Sequence, residues 1–402
     1  MNVLGTGAWR TVVTGFLTNF ITFGLALNFS LFQEYYQNDT FLGQSAFSIS
    51  WVAGTLICLI HLGEIFVKPL TNKVGPRPLM FSGTVISAVS WIGASFVNDL
   101  YQVALLQGLL LGVGNAMVHQ AAKTVRDEQQ DIKTNAWHGA MAKVGSPLGG
   151  LVWSLVIPVM LRSIGLPWTF RAIGLISLFL FACASTIVMS PVHDPTGEES
   201  DSESIETLNS TGRYTVLVIS LFFVNLGAIF PLIYLATVGV DIGLSRETAG
   251  YVVTVFHAAS ILGLLLWEAL SLHIGRMYLM LAASALIGIF MFFWIVMVSL
   301  PAILVFAVLF GLLLGPMLVN SPTSLLDIAG TKSNLQQTLT VLFPSLAFLI
   351  GAPIGGAVMR ASDGGWFIPA CVAGGSLLLG AALIVVSHAK LRFKRQVTTS
   401  EA

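Results

Sequence analysis

Charge is the scarcest property of this 402-residue sequence: Asp, Glu, Lys and Arg together make up 9% of it, against about 25% in a soluble domain. A chain so poor in charge cannot face water over most of its surface, so its solvent has to be lipid. The nineteen basic and nineteen acidic residues cancel, which removes the electrostatic ground for a nucleic-acid partner. Cysteine is nearly absent. Cys58, Cys183 and Cys371 each stand alone in a separate apolar stretch, a spacing that offers neither a disulfide framework nor a zinc site. His-Glu-x-x-His, Gly-x-Ser-x-Gly, the P-loop and a paired-Asp span are all missing, so no enzyme, cofactor or metal chemistry is expected. The apolar run from Thr11 to Leu31 exceeds a leader h-region and is followed by no small-residue cleavage site, so it reads as a retained span.

What is present is long hydrophobic runs. A helix needs roughly 20 apolar residues to cross hydrocarbon. On that rule spans are expected at 11–33, 47–67, 79–97, 100–119, 138–161, 169–190, 214–239, 249–270, 278–299, 301–320, 338–360 and 366–388. The connections are short except the acidic, Ser-rich segment Pro191 to Arg213, which has no hydrophobic period and reads as a linker. The expected organisation is a six-helix half over 1–190, a cytoplasmic linker over 191–213, a second half over 214–390 and a cytoplasmic tail over 391–402. An even number of spans puts both ends on one side, and that side collects fifteen of the nineteen Lys and Arg, leaving Arg162, Arg171, Arg246 and Arg360 opposite. The positive-inside rule then makes the termini and linker cytoplasmic, the plasma membrane being the expected location. Asn38 of Asn38-Asp39-Thr40 falls in the first outer loop as a candidate glycosylation acceptor.

The two halves repeat each other. Gly108-Leu-Leu-Leu-Gly112 returns 203 residues later as Gly311-Leu-Leu-Leu-Gly315, and Gly145-Ser-Pro-Leu-Gly-Gly150 returns after 206 as Gly351-Ala-Pro-Ile-Gly-Gly356. Lys73-Val-Gly75-Pro-Arg77 is matched after 200 residues by His273-Ile-Gly275-Arg276. Three matches in one order, six spans apart, predict a parallel duplication: an all-α membrane protein of twelve transmembrane helices in two six-helix halves. Small residues let helix backbones approach closely in lipid. Gly145, Pro147, Gly351 and Pro353 are therefore expected where helices rock against each other. Lys73, Gly75, Arg77, Gly275 and Arg276 are expected at a loop gate.

The loop Lys68-Pro-Leu-Thr-Asn-Lys-Val-Gly-Pro-Arg77 resembles the signature between spans two and three of the major facilitator superfamily. Gly7-Ala-Trp9, Phe16-Leu17, Gly24, Phe32-Gln-Glu-Tyr-Tyr36, Gly165-Leu-Pro-Trp-Thr-Phe-Arg171 and Gly351-Ala-Pro-Ile-Gly-Gly-Ala357 look like its fungal monocarboxylate porter branch. The resemblance implies two halves related by an axis along the membrane normal and transport of organic acids or larger metabolites by alternating access. It also implies charged groups that this chain lacks. Asn72 stands where the family has Asp, Leu264 where it has Arg and Leu272 where it has Asp. The basic run entering span five reads Asp131-Ile-Lys-Thr-Asn-Ala-Trp-His138, and span one has no Lys. These departures tilt the expected cargo toward a neutral or bulkier metabolite and toward export.

Intramembrane polar residues mark the expected route, because a charge at mid-bilayer costs roughly 2.5–3.5 kcal/mol on insertion scales. Candidates for proton coupling are His61 and Glu64, three apart on one helix face, together with His257 and Glu268. Lys68 is the local partner expected for Glu64, and Arg276 for Glu268. Cavity candidates are Asn19, Asn28, Gln107, Asn115, Asn225, Tyr234, His257 and Asn320, with Phe23, Phe29, Phe256 and Trp294 available for stacking. The partners expected are the bilayer, a small-molecule substrate and protons; the residues specify no oligomer. Two competing functions stay open: proton-coupled uptake of a monocarboxylate, and a sensor that keeps the fold without flux.

Overall fold

The computed structural model describes residues 6–130, 136–188, 207–329 and 334–400. Within them the chain is helical: α1 Thr6–Ala26, α2 Phe29–Tyr35, α3 Ala46–Val74, α4 Pro76–Ala94, α5 Leu100–Val103, α6 Leu111–Gln130, α7 Ala136–Ile187, α8 Thr207–Asp241, α9 Arg246–Ile274, α10 Arg276–Phe292, α11 Leu300–Ala329, α12 Asn334–Ala361 and α13 Phe367–Ser400. Nine of the described helical segments are long and apolar enough to cross a membrane, and Arg276–Phe292 is a shorter apolar helix.

The duplication is visible in the backbone. α3 and α9 are both 29 residues long, and each starts on a serine, Ser45 or Ser245, whose hydroxyl accepts the amide three residues on at 3.2 Å. Each ends on a glycine with positive φ, 93° at Gly75 and 83° at Gly275. Only a residue without Cβ takes that conformation cheaply. This is why Gly75 and Gly275 recur at an offset of 200 in the sequence: they turn the chain into α4 and α10.

Two expected boundaries move. α1 does not end at residue 33; it breaks at Asn28 and resumes as α2, then as a π-helical turn over Tyr36–Thr40. The Asn28 amide donates to the carbonyls of Gly24 (2.7 Å) and Gly150 (2.8 Å), so the break is filled by a side chain rather than left to solvent. Spans five and six are the two arms of α7, separated by a single non-helical residue, Gly165 (φ 73°). Trp9 touches His138 at the start of the first arm (6.5 Å between ring centroids) and shares a cavity with Thr186 and Val188 at the end of the second. The helix therefore doubles back. We call the face holding Trp9 proximal and the face holding the Tyr36–Thr40 turn distal. Residues 189–206, which hold most of the expected linker, lie outside the described residues, while 207–213 are the first turns of α8.

α1 to α7 pack as one half and α8 to α13 as the other. The seam between them runs along α3 against α12 and α7 against α9, with α2 meeting α8 at the distal end. The glycine motifs have a division of labour. A Cβ at Gly145 or Gly149 would strike the carbonyl oxygens of Phe16 or Phe20, and one at Gly351 would lie 2.9 Å from that of Leu226. These contacts are inside a half, α7 on α1 and α12 on α8. Gly145 and Gly351, expected where helices rock against each other, thus sit at helix crossings within a half, on the same helices as Pro147 and Pro353. The last glycine of each motif is the one that faces across: Gly150 against the His257 ring, and Gly356 against Phe47 (2.6 Å to its nitrogen).

Candidate functional site

One face of α1 carries Phe16, Phe20 and Phe23 at helical spacing, all half-buried. Phe23 ends the strip between two imidazoles, His61 of α3 (5.6 Å) and His119 of α6 (4.9 Å), both edge-on. His61 in turn lies 4.7 Å from Phe348 of α12, which belongs to the other half. One turn toward the proximal face, Lys123 Nζ meets Glu64 Oε2 at 2.6 Å, with side-chain exposures of 22% and 33%. Aromatic, histidine and ion-pair rungs thus line one cleft, open enough to leave charged atoms accessible. The spacing explains it: His61 and Glu64 are three apart on α3, His119 and Lys123 four apart on α6, so parallel faces of two packed helices present matching rungs.

Ionic ties join the halves at two levels. Lys143 of α7 reaches Glu268 of α9 (3.0 Å) and the Asn320 carbonyl oxygen of α11 (2.6 Å). At the distal face Arg246, opening α9, pairs with Glu34 (3.0 Å) and with Asp39. Glu34 is 7% exposed and Arg246 44%. Arg246 also stands over the Tyr35 ring at 5.8 Å, and Thr237 Oγ1 is 3.5 Å from Gln37 across the same junction. The exposed pair Arg162–Glu247 (3.5 Å) adds a weaker link.

Several expected site residues are placed elsewhere. Glu64 pairs with Lys123, not with exposed Lys68, because α6 brings a cation across into a partly desolvated cleft where a charge pair is stronger than at a wet helix end. Glu268 meets Lys143 of the opposite half, so it is a cross-seam partner and not only an anchor for Arg276. Five cavity candidates are consumed by helix packing. Asn19 donates to the Ala142 carbonyl (2.9 Å), Asn28 bridges as described, Gln107 accepts from Tyr36 (2.6 Å), Asn115 accepts from Ser87 (3.0 Å) and Asn225 donates to Leu221 (2.7 Å). Tyr234 is fully buried and donates to the Ala352 carbonyl at 3.0 Å. His257 is also fully buried, under Gly150, with no protein hydrogen-bond partner at either ring nitrogen among the described residues. Of the expected residues, Phe23, His61, Glu64, Glu268 and Asn320 line the cleft or its ties. Lys73 and Arg77 are exposed on the proximal face, where Arg77 borders a cavity of about 630 Å³ with Trp9, Arg10 and Thr186. Asn38 is exposed on the distal turn, its amide on Glu34 (2.9 Å). Leu264 is buried and Leu272 71% exposed, so neither presents a charge to the seam.

His119, Lys123, Lys143, Glu34 and Arg246 escaped the sequence reading. Lys123, Lys143 and Arg246 had been counted only for topology. For His119 and Lys123 the only signal is their spacing of four against the spacing of three between His61 and Glu64, which has meaning only once spans two and four are known to pack together; Lys143, Glu34 and Arg246 carry no such mark. Among the described residues no three His, Cys, Asp or Glu side chains gather as a metal site.

Residues 11–217 match the family profile of the Major Facilitator Superfamily. Over 390 residues the chain is 30% identical to the MFS-type transporter pynF of Aspergillus niger, covering 95% of this chain and 88% of that protein. Over 401 residues it is 27% identical to the fujikurins efflux protein of Gibberella fujikuroi, covering 98% and 85%. A solved structure of a variant of the nucleoside transporter NupG superposes with a TM-score of 0.71 at 13% identity, covering 95% of this chain and 99% of that one, a likeness of fold alone.

Proposed function

The chain belongs to the Major Facilitator Superfamily, and from that premise we propose that it exports an organic secondary metabolite by alternating access. It is a secondary transporter and not an enzyme. The observation that carries the reading is the seam: an aromatic and charged cleft between two half-bundles, shut at the distal face by Arg246 on Glu34 and Asp39. Counting both arms of α7, together with α4 and α10, the described helices amount to twelve passes in our reading. We read the proximal face as cytoplasmic, because the topology expected from the sequence puts fifteen of the nineteen Lys and Arg on the side of the N-terminal Trp9, and the plasma membrane as the site of action. The structure then corresponds to a state shut toward the outside.

Export is favoured over proton-coupled monocarboxylate uptake by one feature of this chain. The positions where the porter family carries Arg and Asp in span eight are the buried Leu264 and the outward-exposed Leu272. The naming of a relative as an efflux protein points the same way. The test is a comparison of a deletion strain with its parent by metabolite profiling of cells and medium. Loss of the transporter lowers the ratio of extracellular to cellular product severalfold. An unchanged ratio overturns export.

A further inference from the structure

We infer that the Phe16–Phe20–Phe23 strip and the His61 rung beneath it form a binding site for flat, conjugated phenols or enols. The inference rests on the cleft being the substrate path, and it adds the chemical class of the cargo. Four observations support it.

Phe16 and Phe20 are stacked 6.2 Å apart, and Phe23 follows at helical spacing, all three half-buried, so α1 offers the cleft three rings on one face. Such a face contacts a planar π-system over most of its area and a branched aliphatic chain over little of it.

The second observation is the tautomer of His61. Its Nδ1 lies 2.9 Å from the Ile57 carbonyl oxygen. A carbonyl only accepts, so Nδ1 carries the hydrogen, and the neutral ring offers Nε2 as an acceptor. The site therefore asks its ligand for a donor. A hydroxyl on a conjugated ring is such a donor, and a methyl ether of the same shape is not.

The third is position. His61 spans the seam, touching Phe23 of its own half and Phe348 of the other. A ligand that hydrogen-bonds His61 acts on a contact that must separate when the halves rock, so binding and conformational change share one residue.

The fourth is charge. Lys123 and Lys143 stand in the cleft against Glu64 and Glu268, so its proximal end is polar and suits a ring that carries a hydroxyl better than a wholly apolar one.

The experiment is equilibrium binding to the purified full-length protein in nanodiscs, with 2-naphthol, its isostere 2-methoxynaphthalene, and hexanoate as probes. We expect 2-naphthol to bind at least tenfold more tightly than either of the others. His61→Phe should retain 2-methoxynaphthalene binding, which reports a folded site, and bring 2-naphthol to within twofold of it. Phe20→Leu should weaken both naphthalenes and leave their ratio intact. Equal affinity of wild-type protein for the two naphthalenes overturns the inference without any variant, and so does hexanoate binding as tightly as 2-naphthol. Retained discrimination in His61→Phe overturns the role of His61. Binding needs no flux: export by the reconstituted protein with no discrimination between probes sinks this inference and spares the transporter reading, while discrimination without flux does the reverse.

Discussion

Arg246 shows how a single residue can hold a conformation. It is half in water, yet it faces Glu34, which is almost wholly buried. Removing the cation leaves that carboxylate desolvated and alone, a situation that costs more than the loss of a surface pair and less than the 3–5 kcal/mol of a fully buried one. Taking about 1.4 kcal/mol, the balance between distal-shut and distal-open states moves roughly tenfold in Arg246→Gln. Labelling of a cysteine placed at Gln37 by a membrane-impermeant thiol reagent should accelerate accordingly; an unchanged labelling rate would mean that the pair does not hold the face shut. Lys143 and Glu268 allow a sharper version, since their side chains are only 18% and 11% exposed. Lys143→Glu and Glu268→Lys should each cut flux by tenfold or more, and the double exchange should recover most of it. Failure of the exchange to recover flux would assign Lys143 to substrate and not to the seam.

At the level of elements, the repeated Gly-x-Pro-x-Gly-Gly motif separates into two jobs that a substitution can tell apart. Gly145 lets α7 lie on the α1 backbone inside one half. Gly150 lets the same helix lie on the His257 ring of the other half, and His257 has no room to withdraw because it is fully buried. Overpacking of this kind costs about 1–3 kcal/mol. Gly150→Ala is therefore expected to lower the melting temperature of the solubilised protein by several degrees, and adding His257→Ala should restore it by clearing the same volume. Gly145→Ala should destabilise too, but His257→Ala should not relieve it, because that clash is with backbone. Relief in both cases would show that the two glycines are equivalent after all.

For the molecule as a whole, the claim is that the two halves must part at the distal face in every cycle. Thr237 and Gln37 face each other there at 3.5 Å, one from each half. In a background with Cys58, Cys183 and Cys371 replaced, Gln37→Cys with Thr237→Cys should cross-link on mild oxidation. Flux should then fall to the background of empty liposomes and return on reduction. Undiminished flux through the cross-linked protein would show that cargo does not pass between the halves, and would revive the reading of a sensor without transport.

Much of the architecture was legible in the residues because lipid imposes it locally. Spans must be long and apolar and turns must carry glycine, so the lengths of the runs and the recurrence of Gly75 as Gly275 were enough to foresee helices and a duplication. Even the break in α1 has a local mark, the polar Asn28 in an apolar run, although the same mark suits a cavity residue equally well. Partners are a different matter. Asn19, Asn115 and Asn225 are as polar as His119 and Lys123, and nothing in the order of residues says that the first three are saturated by neighbouring helices while the last two stand in a cleft. That depends on which helix faces come together across 59 residues in the case of Glu64 and Lys123, or 125 in the case of Lys143 and Glu268. The sequence by itself determined the solvent, the helices and the two-fold repeat, since each follows from side-chain chemistry within a few turns. Only the tertiary structure decided which charges meet, because an ion pair is set by the packing of distant backbones and leaves no periodic trace along the chain.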